Sequence, residues 1–146
     1  MDRRSITPDF SALEVPMDVW SEPFWQAGTA DGRVIMPRCT ACATFRWPPG
    51  PFCPSCHTQE VEWVSAGAAR LYSFTILPVP AADTEARPQF RVPALAEFAD
   101  APGVRLVSVL ADAPIDGLAI GDALTIDWRA AANTSVPVFR LAQDKR

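Results

Sequence analysis

The sequence predicts a mainly β protein: an N-terminal helical segment, a four-cysteine zinc ribbon, then a five-stranded OB-fold barrel. Three observations predict it. The four cysteines of the chain stand as two CxxC pairs, Cys39-Thr-Ala-Cys42 and Cys53-Pro-Ser-Cys56. Fifteen prolines punctuate the 146 residues and exclude a helical bundle. From Ala68 onward, short runs of strand-forming residues alternate with turn residues and no long helical period intervenes. On this reading residues 1–35 are an arm and a short aromatic helix, 36–64 the ribbon and 65–146 the barrel.

Residues 1–18 show no periodicity, but carry Ile6, Phe10, Leu13, Val15 and Met17 between polar residues and prolines. They read either as a flexible tail or as an arm laid along a partner surface, since a tail has little use for so many large apolar groups. Residues 20–31 read as a helix. Ser21 can cap it, Glu22 and Pro23 suit a first turn, and Gly28 or Gly32 can end it. Trp20, Phe24 and Trp25 fall on one side of it, as core or as the wall of a ligand channel. Residues 34–38 lead as a strand into the first knuckle. Phe45-Arg-Trp-Pro-Pro-Gly-Pro-Phe52 spans the knuckles, and 60–64 leave the ribbon as a strand. The barrel strands are expected over 69–77, 92–98, 104–110, 123–128 and 136–141. Turns fall at Pro102-Gly103, Asp116-Gly117, Gly121-Asp122 and Asn133. Five short antiparallel strands suit an OB-fold, with a sandwich as the alternative. The stretch 77–92 is too long for a tight hairpin and reads as a protruding loop.

Two CxxC knuckles supply the ligand set of a structural zinc site. Iron in the same site and a thioredoxin-like redox pair are the alternatives. The segment 36–62 is too short and proline-rich to bury a core of its own, so metal binding would supply much of its folding free energy, on the order of 10 kcal/mol in such modules. His57, the only histidine, directly follows Cys56. It reads as a surface residue, because four thiolates already complete a tetrahedron.

Net charge is −4 and the thirteen basic residues are scattered, twelve of them arginine. No basic face of the kind that makes phosphate contacts with nucleic acid is present, so nucleic acid is not an expected partner. No apolar run approaches the ~20 residues that span a bilayer, so no membrane is expected. Reduced cysteines and the absence of an apolar stretch after Met1-Asp-Arg-Arg fit a cytoplasmic protein.

The motifs form a series. Arg38-Cys39-x-x-Cys42, Phe45-x-Trp47-Pro48-Pro49 and Phe52-Cys53-Pro54-x-Cys56 are followed by Gly67-x-x-x-Leu71-Tyr72-Ser73-Phe74-Thr75, Ile120-Gly121-x-x-Leu124 and Val136-Pro137-Val138-Phe139-Arg140. From residue 20 to 139 this resembles the OB-fold proteins with an N-terminal rubredoxin-like zinc ribbon that accompany thiolases, a family long classed as a domain of unknown function. The resemblance implies a thiolase-like partner subunit in a 2+2 hetero-oligomer, with a CoA ester as ligand and the nucleophile on the partner. It implies Cys39, Cys42, Cys53 and Cys56 as ligands of one Zn2+. It also implies an acyl-CoA channel or partner surface near Trp20, Phe24, Trp25, Arg38, Phe45, Arg46 and Trp47. The sequence departs from the pattern at Ala43 and His57, where the knuckles usually end in glycine, and at Gly50, where the loop usually carries arginine.

Catalysis by the chain alone has little to rest on. The metal uses every thiol, His57 sits against a knuckle, Tyr72 reads as core, and Glu97, Asp100, Asp112 and Asp116 read as turn or surface acids. The expected function is a non-catalytic accessory subunit of a thiolase-like complex that positions an acyl-CoA for carbon–carbon bond cleavage or formation. A stand-alone acyl-CoA-binding protein and a zinc-ribbon/OB nucleic-acid-binding module are the alternatives.

Overall fold

The computed structural model describes residues 3–80 and 87–143. Among the described residues a single helix, α1 (Glu22–Asp31), precedes nine strands. The ribbon strands β1 (Ile35–Cys39) and β2 (Val61–Ser65) pair antiparallel, Ile35 facing Ser65 and Cys39 facing Val61. β3 (Ala69–Phe74), β6 (Pro93–Phe98), β7 (Leu106–Val109), β8 (Ala123–Ala130) and β9 (Ser135–Leu141) form one sheet in the order β7-β6-β3-β8-β9. The edge strands meet through a parallel bridge between Leu110 and Phe139, where the Ala111 N–H donates to the Phe139 carbonyl at 2.7 Å. This is the OB arrangement, with a barrel that does not fully close. The seam stays open for a local reason. Pro137 on β9 has no N–H to offer, and its carbonyl is taken by the Ser108 hydroxyl rather than by a strand amide.

The expected loop 77–92 holds a further hairpin, β4 (Leu77–Val79) with β5 (Gln89–Arg91); residues 81–86, between them, lie outside the described residues. The expected strands otherwise appear within a few residues of their predicted ends. Alternation explains the burial. On β3, Ala69 and Leu71 point inward while Arg70 and Tyr72 point out, and on β6 Ala94, Ala96 and Phe98 are buried. The outward placement of Tyr72, where core was expected, follows from that period. A register shift between Leu71 and Ser73 marks a bulge beside it.

The helix stops at Gly32 in the left-handed region (φ 64°), with its N–H on the Gly28 carbonyl at 3.0 Å. Trp20 lies before the helix and is exposed. Residues of the arm lie along the protein's own barrel rather than extending free. The Ser5 N–H donates to the Ala113 carbonyl and the Ile6 N–H to the Phe90 carbonyl, both at 2.8 Å. Further along, Asn133 grips the backbone of Val15 with both ends of its amide, at 2.8 and 2.9 Å. One contiguous core runs through helix, ribbon and barrel, containing Phe24, Met36 and Ala66 together with Leu71, Val92, Leu110 and Phe139.

Candidate metal centre and apolar groove

The two knuckles repeat one backbone design. The Cys39 N–H donates to the Thr44 carbonyl and the Ala43 N–H returns to the Cys39 carbonyl, at 2.8 and 2.9 Å. The Cys53 N–H donates to the Thr58 carbonyl and the His57 N–H to the Cys53 carbonyl, at 2.8 and 3.0 Å. Each turn needs a left-handed residue at its end, and Ala43 (φ 64°) and His57 (φ 65°) adopt that conformation without being glycine.

These turns place the Sγ atoms of Cys39, Cys42, Cys53 and Cys56 within 4.8 Å of one another. The Cys39–Cys56 and Cys42–Cys53 pairs are 3.5 Å apart. Zn–S bonds of ~2.3 Å in a tetrahedron put sulfurs about 3.8 Å apart, so the donor set fits a four-thiolate zinc. The surroundings favour thiolate at Cys39 and Cys53, whereas Cys42 is pushed up, against its Thr44 contacts, by burial and by the neighbouring Cys53 and Cys56 sulfurs. The Ser55 N–H points at the Cys53 Sγ (3.4 Å), and the Thr58 hydroxyl lies 3.3 Å from the Cys39 Sγ. The Thr58 hydroxyl and the Cys42 and Ala41 amides hold the Cys39 thiol down at about 6, and the Cys56 amide lowers Cys53. His57 is not part of the sulfur group. When bound there, zinc would supply a cross-link between the knuckles and no open coordination position.

Arg46 sits between the knuckles and is almost fully buried. Its guanidinium donates to the Gly50 carbonyl at 3.0 Å, Thr58 at 3.1 Å and Gln59 at 3.5 Å. It is therefore turned inward as a tie for the ribbon loops, not outward toward a phosphate. Arg38 is engaged as well, donating to Glu62 Oε1 at 2.6 and 2.9 Å.

Beside the ribbon, the barrel seam opens into an apolar groove of about 490 Å³. Its floor and one wall are Phe24, Trp25, Trp47 and Pro48; Phe10 and Leu13 of the arm and Val107, Val109, Val136 and Pro137 complete it. Phe24 organises the aromatics, with ring centroids 4.9 Å from Trp25, 4.9 Å from Trp47 and 5.5 Å from Trp128. Of the seven residues expected near a ligand path, Phe24, Trp25 and Trp47 line this groove. Phe45 packs against the core, and Trp20, Arg38 and Arg46 are not among the lining residues. The sequence predicts the arm and the strands β7 and β9, but not as walls of this groove. Only the unpaired apolar residues Phe10 and Leu13 hinted at them.

Comparison with known proteins places this architecture. Residues 26–62 match the family described as "ChsH2, rubredoxin-like zinc ribbon domain". A chain of the structure described as "Ltp2-ChsH2(DUF35) aldolase" superposes with a TM-score of 0.71 at 32% identity, covering 89% of this chain and 100% of that one. A DUF35 protein of unknown function from Sulfolobus solfataricus superposes with a TM-score of 0.61 at 19% identity, covering 86% of this chain and 87% of that chain. It is similar in fold alone. A "Probable enoyl-CoA hydratase alpha subunit" of Thermomonospora curvata is 36% identical over 124 residues, 82% of this chain; the chain spans 37% of that relative.

Proposed function

The chain belongs to the DUF35 family of ChsH2-like zinc-ribbon proteins, and from that premise we propose that it is a non-catalytic accessory subunit of an acyl-CoA enzyme. In this reading Cys39, Cys42, Cys53 and Cys56 hold one structural Zn2+. The groove over Phe24, Trp25 and Trp47 takes the pantetheine and acyl portion of a CoA ester. A thiolase-like partner, in a 2+2 assembly, brings the nucleophile for making or breaking the carbon–carbon bond. The parts 1–35, 36–64 and 65–146 act as arm and helix, ribbon and barrel. The cytoplasm is the proposed location; among the described residues no helix is long and apolar enough to cross a membrane.

The observation that carries the reading is the end-to-end likeness to a chain of an aldolase structure whose name also includes Ltp2. The groove supports it, because an apolar slot with aromatic walls suits a long, weakly polar ligand arm. So does the chemistry the chain lacks: the four cysteines cluster and the single histidine stands apart from any acid partner described. A second reading has its own support. The likeness to a hydratase alpha subunit favours a partner that hydrates an enoyl-CoA. Co-expression with a thiolase-like subunit and, separately, with a hydratase-type subunit tests both. The expected result is co-elution with the thiolase-like subunit, acyl-CoA turnover that needs both chains, and none from this chain alone. Turnover by the purified chain alone would overturn the proposal, and co-elution only with the hydratase-type subunit would transfer it to the second reading.

A further inference from the structure

We infer that Arg70 and Arg105 form an anion subsite for the phosphate end of the ligand, whose apolar arm then runs along β7 into the seam groove. This rests on the acyl-CoA reading above, and it places the phosphate contact away from the ribbon arginines Arg38 and Arg46, which were expected near the acyl-CoA channel or partner surface.

The arginines narrow the choice. Arg3 is bound to Asp116, Arg38 to Glu62 and Arg129 to Asp127, at 2.8, 2.6 and 2.9 Å. Arg4 pairs with Asp112 at 2.7 Å, Arg33 faces Asp31 at 3.8 Å and Arg140 faces Asp112 at 3.9 Å. Arg46 is spent on carbonyls inside the ribbon. Arg70 makes no hydrogen bond or ion pair among the described residues. Arg87 and Arg91 also lack such partners, but neither lines either groove.

Arg70 and Arg105 together line a second concavity, of about 400 Å³, with Glu97, Phe98 and the Pro102-Gly103 turn. Arg105 is pre-set rather than floppy. Its guanidinium lies 4.0 Å from the centroid of the Tyr72 ring and donates to the Val104 carbonyl at 3.0 Å. Stacking on an aromatic face leaves the edge of the guanidinium fork free to bind an oxyanion. Glu97 stands 3.8 Å from Arg105 and is the cross-strand neighbour of Arg70 in register, without an ion pair to it. At that length it is a weak competitor for a dianionic phosphate.

The strand connects the two cavities. Arg105 immediately precedes β7, and Val107 and Val109 of β7 line the apolar groove. At ~3.3 Å per residue the path from Arg105 to Val109 is about 13 Å. A ligand with a phosphorylated head and a long apolar arm matches that order of charge and apolar surface. Val107, 69% exposed, lies on the way.

The test uses the full zinc-loaded chain and two probes, octanoyl-CoA and octanoyl-pantetheine. They share the acyl-pantetheine arm, and only octanoyl-CoA carries the phosphorylated adenosine end. Binding is read from the quenching of tryptophan fluorescence. Arg70→Gln and Arg105→Gln should each weaken octanoyl-CoA about tenfold, the size of one charge-assisted contact, and leave octanoyl-pantetheine unchanged. Arg70→Lys should keep part of the affinity, and Arg91→Gln all of it. Equal weakening of both probes, no effect on octanoyl-CoA, or no binding of either probe by the unaltered chain would each overturn the subsite. Co-elution with the partner subunit, measured on the same variants, reports separately on the proposed function. Variants that still form the complex while failing the probe test sink the subsite alone.

Discussion

At the scale of single residues, the ribbon depends on groups that look replaceable in the sequence. The resemblance put Arg46 beside a ligand channel or partner surface, yet its guanidinium collects carbonyls from both sides of the second knuckle. Arg46→Met keeps much of the volume but strands those acceptors. We expect a loss of about 2–3 kcal/mol in denaturant unfolding and faster metal transfer to a chelator. Unchanged stability and transfer would show that the tie is incidental. The arm is pinned by charge in a similar way. The side-chain hydrogen bond from Arg3 holds the Asp116 carboxyl below its ordinary 3.8. Because the folded value is lowered, the contact stabilises fully above the unfolded value and is lost as pH falls through the folded one. Acid titration should therefore leave the Ser5 and Ile6 amide resonances unchanged at neutral pH and shift them below about pH 4. In Arg3→Ala they should shift at higher pH. Identical titrations in both proteins would separate the arm's seating from this ion pair. The cysteines were fully legible in the sequence, since CxxC spacing dictates local geometry. The arginines were not, because whether a guanidinium points into a loop or into solvent is decided by the surrounding fold.

At the scale of elements, the helix is held by a contact that only glycine permits. Gly28 lies against the indole of Trp128 on β8, and a Cβ there would come within 2.2 Å of ring carbons. Gly28→Ala should push α1 off β8. We expect about 2–3 kcal/mol lost by overpacking, together with a shift in tryptophan emission as the Phe24 cluster opens. A variant as stable as the parent would mean that the indole has room to turn. In the sequence Gly28 read as one of two possible helix ends, because glycine serves both as a stop and as a point of close approach. The second use depends on a strand 100 residues later. Helix and strands were readable from caps and from period-2 alternation. The seam was not, since the failure of β7 and β9 to pair depends on Pro137 standing opposite Ser108. Tyr72 was misplaced because apolar residues on both sides of it, Leu71 and Phe74, hide the alternation that turns it outward between Leu71 and Ser73.

At the scale of the whole molecule, ribbon, helix and barrel share one core, so the metal site bears on a groove it does not itself line. Trp47 and Pro48 belong to the segment between the two knuckles, and both face the groove. Phe24 packs on Trp47 at 4.9 Å, and Met36, three residues before Cys39, is fully buried in the common core. With zinc bound, the four thiolates fix both ends of the segment that carries Trp47. Without it, that segment keeps the Arg46 contacts, a few backbone bonds and the packing of Phe45 and Trp47, too little to offset the entropy of holding some ten residues at roughly 1–2 kcal/mol each. The barrel strands have their own buried contacts, with Leu71, Ala96, Val138 and Phe139 fully buried. Zinc removal by a strong chelator under reducing conditions should thus separate two signals. Far-ultraviolet circular dichroism should keep most of its strand character, while octanoyl-CoA binding, read by calorimetry, should fall at least tenfold and return when one equivalent of zinc is restored. Cys39→Ser should reproduce the metal-free state. Full affinity in the metal-free chain would mean that the groove is built without the ribbon, and collapse of the strand signal would mean that the barrel has no stability of its own. Retained strands with a lost groove is the result expected of a protein in which the metal shapes a binding wall and takes no part in the chemistry.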